Sequence, residues 1–197
     1  IDPKTLVTLP TREFKAGMAE IIKYAVISDL NLFELLENQD NISEISSIEE
    51  NLLIELIERS AKSKAEIVIK DEKESGVRAF LNYGHTFGHV IENLCGYGKW
   101  LHGEAVAMGM VAAGQLAVQR GLWKEIEAKR QRELIEKAGL PSKWPRLELE
   151  NVLSSLQGDK KVKNGKISFV MPLQIGDVKL FNNVSNKEIH ECLQKLS

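Results

Sequence analysis

Glycines and histidines recur through residues 78–104, RAFLNYGHTFGHVIENLCGYGKWLHGE, and this stretch constrains the fold more than any other part of the chain. Gly84 and Gly88 would each cost about 1 kcal/mol relative to alanine inside a helix, so their presence indicates that something approaches the backbone closely there. The break GYGK is followed by His102 and a run of small apolar residues, the pattern expected at the start of a new helix. The stretch therefore predicts two helices whose ends converge.

The same stretch holds three of the four histidines of the chain. His85 and His89 are four residues apart and Glu92 follows three later, so a helix would place all three side chains on one face. That face could hold a metal ion, with His102 approaching from the next helix. Histidines at this spacing can equally be hydrogen-bonded packing residues, and the spacing alone leaves both interpretations open. The pattern is not HExxH and no His-Asp dipeptide occurs, which argues against a zincin or an HD-type hydrolase.

Composition excludes several classes of protein. A chain of 197 residues with 43% hydrophobic content can bury a core, as one large domain or two small ones. The formal net charge is −2, without a basic run, so nucleic acid is not an expected partner. The longest apolar run, residues 105–118, is interrupted by glycines and is shorter than the roughly 20 residues of a membrane span. It predicts a buried, tightly packed helix, and no membrane partner is expected.

The two cysteines, Cys95 and Cys192, form no CxxC pair and no disulfide framework, which is typical of a reducing cytoplasm. The chain begins Ile-Asp-Pro without methionine, a start that we interpret as a cut inside a longer polypeptide.

Sequence periodicity predicts a mainly α fold: a multi-helical domain with a small β-hairpin near the C-terminus. Residues 1–12 are expected to be extended, with Thr11 as the N-cap of a helix over 13–27. Asp29 would cap a short helix through residue 37. Further helices are predicted over residues 50–70, 103–120, 122–140 and 148–157, and a hairpin within residues 165–185.

Two capping boxes are predicted, Ser46 with Glu49 before the long helix and Ser185 with Glu188 before the last one. His190 lies alone on the last helix and is expected to be an exposed surface histidine.

Two charged residues have unusual predicted positions. Glu20 shares a helix face with the small residues Ala16 and Gly17, where a carboxylate is costly unless it is paired or bound to a cation. A solvated ion pair between Glu20 and Lys23 is the alternative, and position alone does not decide between them. Lys64 lies on the apolar stripe of its helix, either extending its stem along a packed surface or meeting an anion in a cleft.

No internal repeat is present, and neither GxGxxG nor GxxxxGK[ST] occurs, so the chain lacks a glycine loop for a dinucleotide or a nucleoside triphosphate. Any nucleotide chemistry would need another part of the protein.

Four strings, in this order and spacing, resemble the C-terminal domain of the 3-dehydroquinate synthase family. They are LPTREFKAGMAEIIKYAVISD, KDEKESGVRAFLNYGHTFGHVIE, GYGKWLHGEAVAMGM and GDKKVKNGKISFVMPL. The resemblance covers nearly the whole chain. It implies that residues 1–197 form the helical metal- and substrate-binding domain and that the N-terminal, Rossmann-like NAD-binding domain of the family is absent from this chain.

The resemblance also implies a role for individual residues. The metal ligands would be Glu20, His85 and His102, a set that suits Zn²⁺ or Co²⁺. Lys23, His89 and Glu74 would act beside the substrate hydroxyls. The remaining positions would bind the two anionic ends of the substrate: Lys64 and Arg78 the carboxylate, Asn82 and either Lys160 or Lys161 the phosphate.

The activity implied by the resemblance is conversion of 3-deoxy-D-arabino-heptulosonate 7-phosphate to 3-dehydroquinate and phosphate, with NAD as a cofactor held mainly by the missing domain. This is a step of the shikimate pathway to aromatic amino acids, and the full-length family members are expected to be homodimers. Two other functions remain possible. One is another sugar-phosphate cyclase or metal-dependent polyol dehydrogenase, and the other is a non-catalytic helical interaction module.

Overall fold

The structure, a computed structural model, describes residues 2–72, 76–96, 98–158 and 167–196. Its architecture is mainly α with a two-stranded antiparallel hairpin near the C-terminus, which confirms the predicted fold class. The elements in chain order are α1 (Thr11–Ser28), α2 (Leu30–Glu37), α3 (Glu50–Lys70), α4 (His85–Cys95), α5 (His102–Gln119), α6 (Glu125–Lys137), α7 (Leu149–Gly158), β1 (Phe169–Gln174), β2 (Asp177–Phe181) and α8 (Asn186–Gln194). Short 3₁₀ helices occur at Pro3–Thr8, Ile45–Ser47 and Val77–Asn82.

Helix α5 is the centre of the domain. Nearly every residue from Gly103 to Ala117 is buried, and the helix contacts α1, α4, α6, α8 and β1. Such burial requires small or apolar side chains on all faces, and its sequence, HGEAVAMGMVAAGQLAVQ, supplies them. The prediction of a buried helix in this stretch is therefore confirmed. None of the described helices is both long enough and apolar enough to span a bilayer.

The glycines of α4 and α5 allow the two backbones to touch. A Cβ atom added to Gly109 would lie 2.0 Å from the carbonyl oxygen of Gly84, and one added to Gly88 would lie 3.2 Å from that of Ala105. Gly84 itself has φ of 78°, a left-handed conformation that few other residues adopt without strain. The predicted close approach to this backbone is thus real, and the approaching group is helix α5.

Helix α1 meets the start of α5 in the same way. A Cβ on Gly103 would lie 2.0 Å from the carbonyl oxygen of Ala16, so only glycine fits between the two helices. Beyond α1, Asp29 caps α2 as predicted, because its Oδ1 accepts a hydrogen bond of 2.9 Å from the backbone N–H of Leu32.

Three predictions about the first seventy residues are wrong. Residues 3–8 form a 3₁₀ turn because Asp2 caps it and Pro3 starts it, where an extended segment was expected. Thr11 is the first residue of α1, after Pro10, and makes no side-chain cap. Ser46 lies inside the 3₁₀ turn that precedes α3, so the predicted capping box with Glu49 does not form.

Helix α3 bears out only part of the apolar stripe that its sequence predicts, which consists of Leu52, Leu53, Leu56, Ile57, Ala61, Ala65 and Val68. Its buried residues are Leu53, Leu56, Ser63 and Ile67. Ala61 and Ala65 are exposed, and so is Lys64, which lies next to the buried stripe and not on it. Ile54 and Ile69 of the same helix are exposed while Ser63 is buried, so side-chain size does not determine which face of the helix packs.

The hairpin and the last helix close the domain. Strand β1 pairs with β2 in the register Phe169↔Phe181 and Val170↔Leu180, and Gly176 in the turn donates a 2.9 Å hydrogen bond to the carbonyl of Val26 in α1. Ser185 and Glu188 form the predicted capping box at the start of α8. His190 on that helix is exposed, as expected.

Candidate metal centre

Glu20 projects from the middle of α1 toward the starts of α4 and α5. Its Oε2 accepts a 2.6 Å hydrogen bond from Nζ of Lys23, one turn further along the helix. Its Oε1 is buried and has no hydrogen-bond partner among the described residues. A buried carboxylate oxygen without a partner is costly, so this atom fits a site that is completed by a cation.

Lys23 is itself unusually buried, with 3% of its surface exposed. Burial lowers the pKa of its ammonium group, and the carboxylate of Glu20 opposes part of that shift. The two residues were predicted to form either a surface ion pair or part of a buried site. The burial of Lys23 and of Oε1 of Glu20 favours the buried site.

His85 is the first residue of α4, directly after the left-handed Gly84. Its Nδ1 lies 3.1 Å from the carbonyl oxygen of Tyr83, an acceptor that places the proton on Nδ1. Its Nε2 then faces Glu20, at 3.7 Å from Oε1. Burial and then the positive charge of Lys23 lower the pKa of His85 to about 4, so the imidazole is neutral and can offer a lone pair.

His102 is the first residue of α5 and is more exposed than His85, with side-chain exposures of 51% and 13%. Its Nδ1 lies 3.0 Å from Oε1 of Glu92 on α4. The centroids of the His85 and His102 rings are 5.1 Å apart. The ends of α4 and α5 therefore converge, as the sequence predicts.

Ligand atoms of Glu20, His85 and His102 all lie within 4.8 Å of one another. One carboxylate and two imidazoles form a donor set that suits Zn²⁺ or Co²⁺, and three protein ligands leave a coordination position open for substrate. The orphaned Oε1 of Glu20 and the neutral His85 both fit such an ion. The structure thus brings together the three residues that were predicted as ligands, and their assignment to a metal stays a prediction.

A salt bridge joins helices α1 and α5, which carry Glu20 and His102. Nε and Nη2 of Arg12, at the start of α1, donate 2.7 Å hydrogen bonds to the two carboxylate oxygens of Glu104, and Nη2 also reaches the carbonyl of Lys99. Glu104 in turn accepts a 2.8 Å hydrogen bond from the N–H of Leu101, which caps α5 immediately before His102. Sequence reasoning missed this pair. The only signals are a carboxylate two residues after His102 and an arginine at the start of α1.

The other predicted site residues that the structure describes are spread over α3, α4 and the 3₁₀ turn before α4. The ring of His89 lies beside the cluster, 5.8 Å from the centroid of His85 and 6.3 Å from that of His102. Lys64 on α3 is exposed, and its positive charge contributes to the lowered pKa of Lys23, so the two cations face the same region.

Arg78 and Asn82 lie on the 3₁₀ turn Val77–Asn82 that leads into α4. The backbone of this turn is held by the buried Asp71, whose Oδ2 accepts hydrogen bonds from the N–H groups of Gly76 and Arg78. The guanidinium of Arg78 donates a 3.0 Å hydrogen bond to the carbonyl of Glu72. The predicted Glu74, Lys160 and Lys161 lie outside the described residues.

The fold is shared with synthases of known structure. It matches 2-epi-5-epi-valiolone synthase from Streptomyces hygroscopicus subsp. jinggangensis 5008, solved with NAD⁺ and Zn²⁺ bound, with a TM-score of 0.90 and 30% identity, covering 100% of this chain and 54% of that one. It also matches 2-deoxy-scyllo-inosose synthase, solved with carbaglucose-6-phosphate, NAD⁺ and Co²⁺, with a TM-score of 0.82 and 25% identity, covering 100% of this chain and 56% of that one. The chain thus has the helical fold found in one half of these synthases.

Sequence comparison makes the assignment specific. Residues 17–162 match the family model described as 3-dehydroquinate synthase C-terminal. The chain is 86% identical over 197 residues to the 3-dehydroquinate synthase of Prochlorococcus marinus strain NATL2A and 58% identical over 196 residues to that of Synechococcus sp. strain CC9605. These matches cover 100% of this chain but 54% and 53% of the relatives, so the chain spans about half their length. It belongs to the 3-dehydroquinate synthase C-terminal family.

Proposed function

We propose that this chain is the metal- and substrate-binding half of a 3-dehydroquinate synthase, a cyclising lyase that converts 3-deoxy-D-arabino-heptulosonate 7-phosphate to 3-dehydroquinate and phosphate in the shikimate pathway. The observation that carries the proposal is the convergence of Glu20, His85 and His102 in a family member. NAD would be bound mainly by the half of the family's enzymes that these 197 residues do not match, and the 197 residues alone are expected to be inactive.

In this proposal Glu20, His85 and His102 hold Zn²⁺ or Co²⁺. The ion would acidify a substrate hydroxyl, and NAD would take up a hydride and later return it. Lys23 donates to Glu20 and fixes the orientation of the ligand carboxylate. Because burial lowers its pKa, Lys23 also releases a proton more readily than an exposed lysine does.

Two sets of polar and positively charged residues would bind the two anionic ends of the substrate. Lys64 and Arg78 are assigned to the carboxylate, since a lysine supplies a point charge and an arginine a two-pronged donor. Asn82 with Lys160 or Lys161 is assigned to the phosphate. His89 and Glu74 complete the set beside the substrate hydroxyls.

A related cyclase activity is the main rival, because a valiolone synthase shares the fold at a TM-score of 0.90. The presence of both Lys64 and Arg78 favours a substrate that carries a carboxylate. A helical interaction module is disfavoured, because it has no need of an unpartnered buried carboxylate oxygen beside two histidines.

We expect the full-length enzyme to be a homodimer in the cytoplasm, where the free thiols of Cys95 and Cys192 would stay reduced.

A chimera tests the proposal. This chain would replace the matching 197 residues of the 86%-identical Prochlorococcus relative, and release of phosphate from the heptulosonate phosphate would be measured with NAD and Zn²⁺ or Co²⁺. We expect turnover by the chimera and none by this chain alone.

The same chimera with Glu20→Gln is the control, and it should lose activity by at least about a hundredfold. An active chimera that prefers a sugar phosphate without a carboxylate would favour the rival cyclase. Turnover by the isolated chain would contradict the proposal that NAD is bound mainly outside these 197 residues.

A further inference from the structure

Glu92 lies two turns after His85 on α4, on the same face as that candidate ligand. Its Oε1 is 3.0 Å from Nδ1 of His102, and its side chain is 31% exposed. The contact crosses from α4 to α5, so it joins the two helices that carry the two imidazoles. The sequence places Glu92 on a helix face that could hold a metal ion, but the proposed function gives this residue no role.

We infer that Glu92 is a positioning residue for His102, an inference that rests on the proposed metal centre. A carboxylate accepts hydrogen bonds and donates none when it is ionised, so this contact places the proton of a neutral His102 on Nδ1. The lone pair is then on Nε2. The two ring nitrogens point in different directions, so a carboxylate on Nδ1 stands outside the shared ion and directs the other nitrogen to it.

The two histidines are held by different acceptors. Nδ1 of His85 faces a backbone carbonyl, that of Tyr83, in a site where its side chain is 13% exposed. His102 is 51% exposed, so packing restricts its ring less. The hydrogen bond to Glu92 therefore contributes more to the orientation of this ring. A carboxylate behind a ligand histidine also raises the basicity of the ring, and loss of such a partner typically weakens metal binding about 10- to 100-fold.

The first measurement is made on the metal-free protein. Long-range ¹H–¹⁵N NMR reports which ring nitrogen carries the proton, at pH about 8.5, roughly two units above the ordinary histidine pKa. We expect the Nδ1–H form at His102 in the wild type and a shift toward Nε2–H, the form that unconstrained histidines favour, in Glu92→Ala. His102→Gln identifies the signals. An Nε2–H form in the wild type would overturn the inference.

The second measurement is the affinity for Zn²⁺ and Co²⁺ by competition with a coloured chelator. Glu92→Ala should bind about 10- to 100-fold more weakly than the wild type, and Glu92→Gln, which keeps an acceptor but not the charge, should fall between them. Glu133→Gln on α6 removes an exposed carboxylate from a surface pair with Lys129 and should bind like the wild type.

Equal affinities for the wild type and Glu92→Ala would overturn the positioning role. Failure of the wild type to bind either ion would overturn the metal centre proposed above, and the tautomer of metal-free His102 would still decide whether Glu92 orients the ring.

Discussion

The three candidate metal ligands and the candidate anion-binding residues are held in contrasting ways. Glu20, His85 and His102 come from α1, α4 and α5, three helices whose backbones touch at glycines. Lys64 is an exposed residue of α3, and Arg78 comes from a 3₁₀ turn. We call the first region the ligand junction and the second the anion-binding edge. Packing between helices determines the geometry of the ligand junction, whereas the anion-binding edge combines an exposed side chain with a turn that is held by hydrogen bonds to Asp71.

The largest effect should come from forcing the ligand junction apart. Gly109→Ala places a Cβ 2.0 Å from the carbonyl oxygen of Gly84. The clash is with backbone atoms, so it can be relieved only by a shift of α4 relative to α5. We expect the free energy of unfolding in denaturant to fall by about 3 kcal/mol. Metal affinity should fall with it, because α4 carries His85.

Gly17→Ala is the matched control in α1, since a Cβ there would meet nothing within 4 Å. It should leave metal affinity unchanged and raise stability by up to about 1 kcal/mol, the usual gain of alanine over glycine inside a helix. Equal destabilisation by the two substitutions would contradict the close-packed junction.

A smaller effect should appear on acidification of the metal-free protein. The pKa of His85 is about 4 in the fold, against about 6.5 in an unfolded chain, so between these values the unfolded state binds more protons. The contribution is present above pH 6.5 and is lost as the pH falls toward 4, a loss on the order of 2–3 kcal/mol. Urea unfolding at a series of pH values in chelator would measure it.

His85→Gln removes the titrating group, so its stability should depend less on pH in this window. Lys23→Met should also flatten the curve in part, because the charge of Lys23 is the second cause of the shift after burial. A wild-type stability that rises on acidification from pH 6.5 to 4 would show that the imidazole is not held neutral by this site.

The smallest effect on stability should come from the anion-binding edge. Lys64→Met changes an exposed residue, so the free energy of unfolding should shift by no more than about 0.5 kcal/mol, and metal affinity should not fall. In the chimera, the KM for the heptulosonate phosphate should rise at least about tenfold, because a charge-assisted contact to the carboxylate is lost. Lys62→Met, two residues earlier on α3, should leave the KM unchanged. A loss of metal binding in Lys64→Met would mean that the two regions are not independent.

Local patterns in the sequence predicted the ligand junction well. The glycine spacing indicated a close approach to α4, and the break GYGK placed His102 at the start of a helix, which is where it lies. These signals can be read from the sequence because a glycine inside a helix costs free energy and only a few residue types suit the start of a helix. The prediction that Glu20 is a metal ligand came from the family resemblance, since its position alone left an ion pair equally acceptable.

Contacts between distant parts of the chain could not be predicted in the same way. Arg12 and Glu104 are 92 residues apart, and no local period relates them. On α3, the small residues Ala61 and Ala65 suggested a buried stripe that the tertiary packing places elsewhere. The anion-binding edge is thus the region where sequence periodicity was least informative.

Metal titration tests the central claim most directly. The wild-type chain, freed of metal by chelator, would be titrated with Co²⁺ and followed by visible absorption, beside Glu20→Gln, His85→Gln and His102→Gln. We predict about one ion per wild-type chain, as for a site with one set of three ligands, and at least about a hundredfold weaker binding in each variant. No bound ion in the wild type, or binding that survives loss of any one of the three residues, would contradict the account.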